Sequence, residues 1–68
     1  MSTLYDLIKM EWDENPQLTA IQLIEDDIKE PGCMNEVLNQ LFIHDEELAD
    51  NLAHEIKEQL LKKEKVNG

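Results

Sequence analysis

Leu48, Leu52, Ile56 and Leu60 recur every four residues, with Ala49, Ala53 and Leu61 on the same side. Residues three and four apart share a face only in an α-helix, so this run commits the C-terminal part of the chain to an amphipathic helix. The same spacing returns upstream. Leu4, Leu7, Ile8 and Trp12 predict a first helix over about 3–13, with Thr3 as N-cap and Asp6 placed to answer the helix dipole. Asp13-Glu14-Asn15-Pro16 ends that helix and opens another, because proline bars the residue before it from helical geometry but fits a first turn. Asn15 is the expected cap, and Leu18, Ile21, Ile24 (or Leu23) and Ile28 the expected core stripe.

Pro31-Gly32 closes the second helix. Met34, Val37, Leu38, Leu41 and Phe42 predict a third, with Asn35 as a candidate cap. Ile43-His44-Asp45 breaks the pattern, and Asp45 caps the last helix, whose first turn carries Glu46 and Glu47. Lys62, Lys63 and Lys65 suit the negative end of its dipole. No segment alternates apolar and polar residues as a strand would. The expected fold is therefore all-α: a compact antiparallel bundle of about four short helices, the longest at the C-terminus. Residues 1–66 form one helical domain in this reading, and 67–68 a frayed end.

A chain of 68 residues buries only about 60% of the surface it exposes unfolded, so a second subunit would help it. Cys33 is the only cysteine, which excludes an internal disulfide and favours a reducing, cytoplasmic setting. The longest apolar run, Leu41-Phe42-Ile43, is far too short to span a membrane. Sixteen acids face six lysines and no arginine, for a net charge of -10. Such a surface repels phosphate backbones and anionic lipid, so no direct nucleic-acid or membrane binding is expected. The charge is uneven: residues 1–51 carry 13 acids and 2 lysines (net -11), and residues 52–68 carry 3 acids and 4 lysines (net +1).

Catalytic chemistry finds little footing, and a non-enzymatic role without cofactor is expected. The chain has no phosphate-binding loop, dinucleotide fingerprint, nucleophile elbow or Cys/His metal pattern. Glu47, Asp50, His54 and Glu58 share a stripe of the last helix, but no second element brings a ligand, so a solvated face is the simpler reading and no metal is assigned. Cys33 lies among acids, which disfavour a thiolate, and reads as structural.

What remains is recognition of another macromolecule. Acids cluster at three places: Asp13 and Glu14, then Glu25, Asp26 and Asp27, then Asp45, Glu46 and Glu47. Held on a rigid bundle, these carboxylates imitate a nucleic-acid backbone and fit a basic groove on another protein. Trp12 is either a core plug, the favoured reading in so small a domain, or a partly exposed anchor for that partner. By analogy of size and charge alone, this is the physics of small acidic inhibitors, including those that phages direct against host defence or transcription. A homodimer is also expected, through Leu48, Ala49, Leu52, Ala53, Ile56 and Leu60 of the last helix, although the same stripe would equally serve a monomer's core. Two alternatives stand beside the inhibitor: a nucleotide sponge at a dimer seam, poorly supplied with cations for phosphate, and an adaptor subunit of a larger assembly.

Overall fold

Three of the four helices begin at a side chain that replaces the missing partners of their first backbone N–H groups. The computed structural model describes residues 3–67, with side chains over 3–62. Helix α1 spans Leu4–Glu14, α2 Pro16–Lys29, α3 Cys33–His44 and α4 Glu46–Asn67; among the described residues there is no strand. The chain is thus all-helical, its longest helix last, as the spacing of apolar residues requires.

Thr3 opens α1 with a reciprocal box. Its Oγ1 accepts the Asp6 N–H at 3.2 Å, and Asp6 Oδ2 accepts the Thr3 N–H at 3.3 Å. Asn15 Oδ1 accepts the Leu18 N–H at 3.1 Å, with Pro16 just inside α2. Asp45 Oδ1 accepts the Leu48 N–H at 3.1 Å at the start of α4.

Helix α3 begins differently. Its N-cap is Gly32, at φ +95°, which offers no side chain; Asn35 lies inside the first turn and is not the cap. The acceptor comes from α2 instead. Asp27 Oδ1 takes the N–H of Gly32 at 3.1 Å and of Met34 at 3.3 Å. Helix α3 also runs on through Ile43 to His44 before Asp45 turns the chain.

The core joins Ile8, Ala20, Leu23, Val37, Leu41, Leu48, Ala49, Leu52 and Ile56, drawn from all four helices. Helix α2 packs against each of the others, and α4 lies chiefly on α2 and α3. The face α2 turns inward is not the expected one. Thr19, Ala20 and Leu23 are buried, whereas Leu18, Ile21 and Ile28 are exposed. Small residues let neighbouring helices approach closely, and the Thr19 hydroxyl is satisfied by donating to the Asn15 carbonyl at 2.9 Å. The C-terminal stripe is largely consumed in the same way. Leu48, Ala49, Leu52 and Ile56 are core residues of the single chain, so they are not free to meet a second copy; only Ala53 and Leu60 of the expected dimer face are exposed. Lys63 and Lys65, expected to answer the dipole, and Gly68 of the frayed end lie outside the residues whose side chains are described.

Candidate functional site

Tyr5, Ile8 and Trp12 fall three and four residues apart on the inward face of α1. Ile8 is buried in the core; Tyr5 and Trp12 are half-buried and pack against it. Tyr5 fixes how α1 meets the α3–α4 corner. Its hydroxyl donates to Asp45 Oδ2 at 3.2 Å, and its ring stacks on His44 with centroids 5.8 Å apart. Burial pushes the Tyr5 phenol above its usual value, and the hydrogen bond and charge of Asp45 push it further.

Two turns along α1 from this contact, Trp12 borders a depression of about 220 Å³ between α1 and the first turns of α4. Lys9, Trp12 and Asp13 line it from α1; Asp45, Glu47, Leu48 and Asn51 line it from the other side. Three carboxylates therefore face one ammonium beside an aromatic ring. Carboxylates at the start of α4 sit where the helix dipole favours them, so their crowding is partly offset by the fold itself. Chemically the depression suits a cation. Guanidinium or ammonium groups would find charge-assisted acceptors and an indole to lie against.

The structure thus gathers Trp12, Asp13, Asp45 and Glu47 from the residues singled out in the sequence, and separates the others. Glu14 lies with Glu11, Asn15 and Gln22 along a smaller depression between α1 and α2. Asp26 borders a cleft with Leu4, Leu7, Glu11 and Cys33, and Glu25 edges an apolar groove on the other side of α2. Asp27 is occupied in capping α3, and Glu46 is exposed in the first turn of α4 outside the depression. Lys9 and Asn51 were not anticipated. Each lies about one turn from a residue that was, but only the packing of α1 near α4 brings both to one place.

Other possible chemistries are poorly supplied. Among the described residues no three His, Cys, Asp or Glu side chains stand together to hold a metal. His54 Nε2 lies 3.6 Å from Glu58 Oε1 on an exposed stretch of α4. Cys33 is half-buried; burial pushes its thiol up, and the surrounding Asp26, Glu30, Asp27 and Glu36 add to this. Both effects oppose a reactive thiolate. An apolar groove of about 370 Å³ is lined by Ile21, Ile24, Glu25, Ile28, Gln59, Leu60 and Lys62, which among the described residues offers a phosphate a single lysine. Among the described residues no helix is long and apolar enough to cross a membrane.

Comparison with protein-family models, with curated proteins and with solved structures returned no match. The functional reading therefore rests on this chain's own geometry.

Proposed function

We propose that this protein is a non-enzymatic binder that inhibits another protein by occupying a basic, nucleic-acid-binding surface. One observation carries the reading: Asp13 and Glu47 converge beside Trp12 and Lys9 in a depression of about 220 Å³, where Asp45, already bonded to Tyr5 and the Leu48 N–H, adds its charge. Around that point the body of the chain is strongly acidic, with 13 acids against 2 lysines in residues 1–51. The depression would seat one arginine or lysine of the target, the indole adding about 0.5–2 kcal/mol of cation–π attraction. The surrounding acids would speed encounter and stand in for phosphates along the rest of the groove. Most of this action needs no second copy, so it holds for a monomer and a homodimer alike. An inhibitor of this kind would work in the cytoplasm, where such targets act, and a phage origin would suit it.

The test is differential capture from the native host. The protein as it stands is compared with a Trp12→Ala, Asp13→Asn, Glu47→Gln variant, all exposed or half-buried positions. A basic protein retained by the first, lost by the second and released by added duplex nucleic acid supports the reading. Equal retention by both, or affinity unchanged between 50 and about 300 mM salt where ion pairing should weaken steeply, removes it.

A further inference from the structure

Helix α2 has more apolar surface than the core uses. Thr19, Ala20 and Leu23 face inward, yet Ile21 is 37% and Ile28 67% exposed on an adjoining face. Helix α4 has the matching surplus. Leu60 follows Ile56 by one turn on the side turned to the core, but Ile56 is 4% exposed and Leu60 42%, because α4 outruns the helices that cover its first half. These side chains meet in one open groove of about 370 Å³, floored by Ile21, Ile24, Ile28 and Leu60 and edged by Glu25 on α2 and Lys62 on α4. A contiguous apolar groove with a polar rim is a candidate contact surface.

Charge selects the occupant. A second copy repels the first through a net charge of -10 on each, and the repulsion is least at residues 52–68, where the chain reaches net +1. That segment of α4 forms one wall of the groove; the other wall is α2, within the acidic body of the chain. The groove's own edges are opposite in sign, acid on α2 and ammonium on α4. A twofold axis running along the helices would set α2 of each copy against α4 of its partner, placing Glu25 of one beside Lys62 of the other twice over. An axis across the helices would instead set α2 on α2, acid against acid. We infer that the protein forms a twofold homodimer through the α2–α4 groove, with Ile21, Ile28 and Leu60 at its centre and reciprocal Glu25–Lys62 pairs at its rim. The dimer is isologous, as twofold interfaces are, and leaves the Trp12 depression open.

Light scattering across micromolar to millimolar protein reads the result. The unaltered chain is expected at about twice its 7.9 kDa mass. Ile28→Glu and Leu60→Glu, at exposed positions where helicity should persist, are expected to give the single-chain mass; Ile43→Glu, on the exposed end of α3, is expected to leave the dimer intact. Glu25→Lys and Lys62→Glu should each weaken association at least tenfold, and the two together should restore it. A single-chain mass for the unaltered protein at millimolar concentration overturns the inference, as does a dimer that Ile43→Glu breaks while Ile28→Glu does not. A groove that stays monomeric but takes up an apolar peptide of another protein would also overturn it. Target capture through Trp12 is measured separately, so failure of one reading leaves the other standing.

Discussion

Tyr5 and Asp45, 40 residues apart in the chain, meet through a hydrogen bond of 3.2 Å from phenol to carboxylate. Asp45 spends its other oxygen on the Leu48 N–H, so one carboxylate both starts α4 and anchors α1. Replacing Asp45 by Ala removes the cap, which alone is worth about 0.5–2 kcal/mol. Tyr5→Phe should cost less than Asp45→Ala. Its effect should shrink when Asp45 is already Ala, a coupling that a double-mutant cycle by urea unfolding would detect.

The same pair governs alkaline stability. The neutral phenol is favoured in the folded state, because burial and then Asp45 raise its pKa. Tyr5 therefore contributes stability that is fully present below its unfolded pKa of about 10 and lost as pH rises through the higher folded value. Tyr5 is the only tyrosine, so the near-ultraviolet absorbance change that accompanies phenolate formation follows it alone, over the constant absorbance of Trp12. The expected midpoint lies above about 10 and falls toward that value in Asp45→Ala.

Gly32 holds φ +95° with no other part of the fold, beyond its own stretch of backbone, within 4 Å of where a Cβ would stand. Gly32→Ala should thus cost backbone strain alone, about 1–2 kcal/mol, and Gly32→Asn less, because asparagine tolerates left-handed geometry. Asp27→Ala should destabilise by a similar amount, since it strips α3 of its acceptor. Thermal melts of the three variants would order these effects; a harmless Asp27→Ala would contradict the capping role.

Leu41 and Leu52 are fully buried. Truncating either to Ala is expected to cost about 2–5 kcal/mol. For a domain of this size that approaches the whole stability, so circular dichroism should show largely unfolded protein at 37 °C for Leu52→Ala.

Charge repulsion should make the fold sensitive to ionic strength. With a radius of gyration of 12.0 Å, most carboxylate pairs lie within the screening length of about 30 Å at 10 mM salt. At 150 mM that length is about 8 Å. The melting temperature is therefore expected to rise with added salt, and to rise less in the Asp13→Asn, Glu47→Gln variant. A melting temperature that falls with salt would mean attraction outweighs repulsion across the surface.

The helix starts were legible wherever the cap is local. Thr3, Asn15 and Asp45 each bond an N–H three residues on, and a rule about sequence spacing suffices to find them. The start of α3 was not, because Asp27 reaches it from another helix across Pro31-Gly32. The inward face of α2 was misread for a related reason. Hydrophobicity ranks Ile21 and Ile28 above Ala20 and Thr19, but close helix packing rewards small side chains, and only the assembled bundle shows which face is crowded. The candidate site was half legible. Composition marks carboxylates as the surface's dominant chemistry, yet nothing in the order of residues says that Asp13 shares a depression with Glu47 and not with Glu14. Asp27 and Asp45 show the converse, acids read as surface charge that the fold employs in its own construction.

Trp12 is the chain's single tryptophan, and it stands half-buried at the acidic depression. Its fluorescence is consequently a reporter already installed where a target's cation would arrive. Emission that shifts or quenches on mixing with a candidate partner would report engagement at that point, with no dye and no added label. Titrations could then be followed on the native molecule, and a partner that docks elsewhere would leave the emission unchanged.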